Sequence, residues 1–162
     1  MADGQASHAF RNACYAVQRA ELDHALYPND RDCASYFPEN FQPITDSEQW
    51  QFTEGDMEIL PGISASRIPG DNPDIQAVRV TGGGKTLLFV ADLIPTRHHI
   101  SLPWIMAYDL YPLLTLETTR KWIAEIAEKG WVVAFGYNPE HAASTLHQRD
   151  GMIEFETVAL NR

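Results

Sequence analysis

Cysteine is nearly absent from the 162-residue chain. Cys14 and Cys33 stand alone, so there is no disulfide framework and no CxxC zinc clip. Cations are scarce too: 12 Lys and Arg face 22 Asp and Glu, a formal net charge of −10. A phosphate backbone calls for the opposite balance, so no nucleic-acid partner is expected. No run approaches the ~20 apolar residues of a membrane span, so no membrane partner is expected either. The stretch from Met1 to His8 has neither the basic n-region nor the apolar h-region of a signal peptide. A soluble protein in a reducing, cytoplasmic setting is the expectation.

What is present suits a folded domain. An apolar fraction of 44% excludes general disorder, and a chain of this length buries about 70% of its unfolded surface. No repeat, low-complexity tract or Gly/Ser linker interrupts it, so residues 1–162 read as a single domain.

The element pattern is mixed. Cys14–Gln18 reads as a short strand, Arg19–Leu26 as a short helix ended at Pro28, and Arg31–Phe37 as a helical turn or two closed by Pro38. From Trp50 the pattern turns to strands: Trp50–Phe52, Met57–Leu60, Ile63–Ile68, Ile75–Val80 and Thr86–Ala91, divided by Gly- and Pro-rich turns. Leu87–Ala91 is apolar throughout, as in a strand covered on both faces. Leu116–Lys129 predicts a helix with Thr115 as N-cap and Gly130 as stop. Trp131–Phe135 reads as a buried strand, and Thr145–Gln148 with Met152–Val158 as a hairpin around Asp150-Gly151. The class is α/β or α+β around one main sheet.

Most candidate motifs fail on their physical context. Gly82-Gly83-Gly84-Lys85-Thr86 lacks the first glycine of a phosphate loop and runs into a strand instead of a helix, which makes it a hairpin turn. His141 and His147 have no zinc spacing and read as surface histidines. Asp23-His24 falls on a helix and reads as a solvated face. There is no Gly-x-Ser-x-Gly elbow, and neither cysteine sits in an activating context. Asp92 is more telling. A carboxylate closing a buried strand must be paired, hydrogen-bonded or metal-bound, whether as a turn cap or as a site residue. His98-His99 follows in a loop with Trp104, Met106 and Tyr108; adjacent histidines point apart, and the loop is either a pocket wall or simply packed.

The run Val90-Ala91-Asp92-Leu93-Ile94-Pro95-Thr96-Arg97-His98-His99, followed by Leu102-Pro103-Trp104-Ile105-Met106-Ala107-Tyr108-Asp109, resembles the second half of metallo-β-lactamase-fold hydrolases. The likeness is to the glyoxalase II and lactonase-like branch, and Tyr15–Glu21 with Ala34–Phe37 resembles its middle region. The resemblance implies an α/β fold: a partial αβ/βα sandwich, comprising the second half and the middle region, with a mixed sheet and flanking helices. In the intact family two metals, commonly zinc, activate a hydroxide that attacks an ester, lactone, thioester or lactam carbonyl. The family's His-x-His-x-Asp-His loop would fall ahead of Phe10, so four ligands have no counterpart in this sequence. A ligand histidine aligns with Asp71 and a later histidine with Ile75; the bridging aspartate is kept as Asp92; the last histidine aligns with Tyr137.

The resemblance therefore implies a truncated homologue with degenerate ligands. Its vestigial metal positions are Asp92 and Asp71, its pocket is built from His99, Trp104, Tyr108 and Tyr137, and no bound cofactor is expected. The expected function is a ligand- or partner-binding remnant without hydrolase activity. The alternative is a metal-dependent hydrolase of ester, lactone or thioester bonds, with a rebuilt site or as part of a split enzyme. A third is an interaction module that self-associates or takes a partner covering the missing half. The small-molecule ligand is not named by the sequence.

Overall fold

The computed structural model describes residues 6–158, and the chain divides at Glu54/Gly55 into two compact units. In the first, β1 (Tyr15–Gln18) pairs in parallel with β2 (Trp50–Thr53). Between them lie α1 (Arg19–Leu26) and α2 (Pro38–Asp46). The helix α2 was not expected. Pro38 opens it instead of closing the preceding turn, because proline's fixed φ suits the first helical position, where no N–H is needed. Cys33–Ser35 forms only a single 3-10 turn.

His24 on α1 also departs from expectation. Asp23 is exposed, but the His24 Nε2 lies 2.5 Å from Asp32 Oδ2, with both side chains mostly buried. Its ring meets Tyr36 edge-on at 5.4 Å. The missing signal was tertiary: Asp32 is eight residues away, off the helix.

The second unit is one seven-stranded sheet in the order β3-β4-β5-β6-β7-β8-β9. The strands are β3 (Met57–Leu60), β4 (Ile63–Arg67), β5 (Gln76–Gly82), β6 (Lys85–Phe89), β7 (Val132–Ala134), β8 (Ala143–Arg149) and β9 (Met152–Thr157). All neighbours are antiparallel except β6 and β7, which run parallel. A parallel pair needs a crossover, and α3 (Pro112–Lys129) supplies it. The tight hairpins follow their turn residues. Gly83 and Gly84 both take positive φ between β5 and β6, as do Asp150 and Gly151 between β8 and β9.

The core lies on one face of this sheet. Ala77, Leu88, Val133 and Leu146 are fully buried there with Trp122, Ile123 and Ile126 of α3. Each of the buried Leu, Val and Ile side chains contributes about 1.5–3 kcal/mol by leaving water. The opposite face is only half covered: Phe89 is 39% exposed and Val80 43%. The expectation of a strand buried on both faces is thus corrected for β6, where only Leu88 is sealed. A continuous apolar run cannot say which of two alternating faces meets a neighbour.

The α3 helix begins a turn earlier than Thr115 suggested, with Pro112 at its first position. Thr115 lies inside it, buried, and its hydroxyl donates to Asp109 Oδ2 at 2.7 Å. The stop is as expected: Gly130 takes φ 62°, and its N–H donates to the Ile126 carbonyl.

Candidate functional site

The site forms where β6 ends and the chain runs toward α3. Ala91 takes φ 43°, a left-handed conformation costly for a residue with a Cβ. It turns the backbone into the 3-10 turn Ala91–Leu93, which carries Asp92. After Thr96 a second 3-10 turn, Arg97–Ile100, carries the two histidines. Their rings diverge. The Thr96 hydroxyl bonds His99 Nδ1 at 2.9 Å, while the His98 ring stacks on Trp104 with centroids 6.1 Å apart.

Tyr137 arrives from the loop after β7, anchored by its N–H to the Pro95 carbonyl at 3.0 Å. Its side chain lies close enough to the Asp92 carboxyl to favour the ionised form. Burial nonetheless pushes the Asp92 carboxyl above the ordinary aspartate range, and the charge of Asp109 adds to the rise. The Tyr108 phenol is also raised, first by desolvation and then by Asp92, Asp71, Asp109 and Tyr137. His99 is pushed down by desolvation and by His98, with Asp109 opposing.

Asp71 sits on the loop between β4 and β5, where its carbonyl accepts the Leu110 N–H at 2.8 Å. Gly70 presses that loop against α3, and its carbonyl accepts the Tyr111 N–H at 3.0 Å. The residues predicted from sequence therefore share one neighbourhood: Asp92, His99 and Trp104 line one small enclosure, and the field of Asp71, Asp92 and Tyr137 reaches Tyr108.

Sequence reasoning missed the residues behind them. Asp109, Thr115 and Thr119 line the same enclosure. Thr115 and Thr119 share a helix face by their i, i+4 spacing, and that was the available signal. The space is about 10 Å³, room for one water, and the buried Thr119 hydroxyl has no protein partner on its Oγ1. Tyr108, Tyr137 and Trp104 present much of their surface to water, at 67%, 67% and 59% exposed.

The donor set does not fit a zinc centre. Zinc takes His, Cys and ionised carboxylates at short range. Here the aligned positions offer two carboxylates, Asp71 and Asp92, and the phenol of Tyr137, with no imidazole or thiolate among them. Among the described residues no group of three or more His, Cys, Asp or Glu is placed to hold a metal ion. No helix among them is long and apolar enough to cross a membrane.

No family model and no curated protein sequence matches the chain. Solved structures do. A probable metal-dependent hydrolase from Staphylococcus aureus superposes with a TM-score of 0.83 at 24% identity, covering 98% of this chain and 57% of that one. The hydrolase AbOPH, of the beta lactamase superfamily, gives 0.80 at 18% identity, covering 94% and 57%. AidC, a dizinc quorum-quenching lactonase in complex with a product, gives 0.78 at 16% identity, covering 99% and 60%.

The fold is the metallo-β-lactamase fold, in part. This chain spans less than two thirds of the length of the metallo-β-lactamase-fold structures it matches. The mixed sheet with flanking helices agrees with the partial αβ/βα sandwich expected from sequence.

Proposed function

We propose that this chain is a metallo-β-lactamase-fold protein that binds a ligand or partner at the Asp92 site and does not hydrolyse it. One observation carries the reading: among the described residues no group of three or more His, Cys, Asp or Glu is placed to hold a metal ion, and Tyr137 stands near Asp92 where the family has a ligand histidine. The exposed Tyr108, Tyr137 and Trp104 offer two phenol donors and an indole face, a surface suited to a polar ligand. Asp71 and Asp92 are vestiges of ligand positions in this reading.

The competing reading is metal-dependent hydrolysis of an ester, lactone or thioester, by a rebuilt site or with a complementing chain. The hydrolases and lactonases among the similar structures favour it. The two separate in an assay of ester, lactone and thioester substrates, with and without added zinc, manganese or cobalt. Binding alone predicts background rates that Asp92→Ala leaves unchanged. Metal-dependent turnover abolished by Asp92→Ala would overturn the proposal.

A further inference from the structure

A second concavity lies beyond Trp104, between the Arg97–Ile100 turn and the β8–β9 hairpin. It encloses about 600 Å³, within the usual range for small-molecule sites. Ile100, Leu102 and Ile153 line it, and Trp104, Met152 and Phe155 border it with much of their surface in water. Three large, exposed apolar side chains around one hollow are expensive to leave in water, and two of them are planar aromatics.

The polar side chains point to the sign of the ligand. In a chain of net charge −10, the residues lining this hollow include Arg97 and His98 and no carboxylate. The Arg97 guanidinium is fixed from two sides: its carbon lies 5.6 Å from the Phe155 ring centre, and Nη2 donates to Glu140 at 3.0 Å. Arg97 is mostly buried and Glu140 mostly exposed, so water screens the pair from the Glu140 side while the contact orients the guanidinium. A guanidinium has five donors, and one Nη2 contact leaves a planar fork for an incoming carboxylate. His98, stacked on Trp104, extends the aromatic wall.

We infer that this groove is a second binding site, for a planar aromatic anion whose ring stacks on Trp104 and Phe155 and whose carboxylate pairs with Arg97. Trp104 borders both this groove and the Asp92 site, whereas Arg97, Ile153 and Phe155 line this groove alone, so Arg97→Gln tells the two sites apart.

Isothermal titration of the folded chain with 2-naphthoate and with its neutral amide, 2-naphthamide, tests it. Saturable one-to-one binding of the acid is expected, several-fold tighter than the amide. Arg97→Gln weakens the acid about tenfold, the usual scale for losing a charge-assisted pair, and removes the preference over the amide. Trp104→Leu weakens both ligands. Circular dichroism of each variant confirms folding. No saturable binding of 2-naphthoate, equal affinity for acid and amide, or an Arg97→Gln variant that binds the acid undiminished would overturn the proposal.

Discussion

Gly70 joins the candidate site to the scaffold, and replacing it with alanine gives the sharpest structural prediction. Its φ of +152° lies in a region that side chains rarely adopt, and a Cβ there would stand 2.6 Å from Thr115 Oγ1, 2.7 Å from Thr115 Cα and 2.9 Å from Thr115 N. Two of those atoms are helix backbone, which the Thr115 N–H to Tyr111 carbonyl bond (2.9 Å) holds in place. The glycine loop cannot retreat cheaply either, because the Tyr111 and Leu110 N–H groups bond the Gly70 and Asp71 carbonyls. Backbone strain of about 1–3 kcal/mol adds to about 1–3 kcal/mol of overpacking, so Gly70→Ala should cost about 2–6 kcal/mol. Gly130→Ala is the control. It has a comparable left-handed requirement at φ +62° but nothing within 4 Å of its Cβ, so its cost is about 1–2 kcal/mol. At about 2–4 °C per kcal/mol for a chain of this size, the first variant should melt roughly 4–24 °C below wild type and the second about 2–8 °C. Thermal unfolding followed by far-ultraviolet circular dichroism reads the difference. If Gly70→Ala melts no lower than Gly130→Ala, the close approach of the loop to α3 is wrong.

Three further outcomes follow from the same contacts. Because burial raises the folded-state pKa of Asp92, its ionised form lowers stability above that pKa, and the effect vanishes below the unfolded value of 3.8. Asp92→Asn should therefore raise the melting temperature at pH 7 to 8 and give no gain near pH 3; a lower melting temperature at neutral pH would refute the assignment. Thr115→Val removes the hydroxyl donor from buried Asp109 and should cost about 1–3 kcal/mol in urea unfolding, with Thr115→Ser recovering most of it. Ile126→Ala hollows the fully buried contact of α3 with the sheet and should cost about 2–5 kcal/mol by the same measurement, whereas a loss below 1 kcal/mol would mean that this core is not packed as described.

Local chemistry made some of this legible in the sequence. Gly83-Gly84 and Asp150-Gly151 mark hairpins because few residues take positive φ, and Gly130 marks the end of α3 for the same reason. Asp92 stood out because a buried run ended on a carboxylate. Pro38 misled because proline stops one helix and starts another equally well. The Thr115–Asp109 and His24–Asp32 contacts were hidden, since each joins residues whose adjacency depends on how the chain turns between them. The whole α3 crossover separates Asp92 from Tyr137, so only the family resemblance put those two positions in one site.

The central claim is that the Asp92 site works without a metal. Zinc stoichiometry tests it most directly: wild type and Asp92→Ala equilibrated with zinc, dialysed and measured by elemental analysis. The account predicts far less than one zinc per chain and no difference between the two proteins. One or more equivalents in wild type, lost on Asp92→Ala, would contradict it.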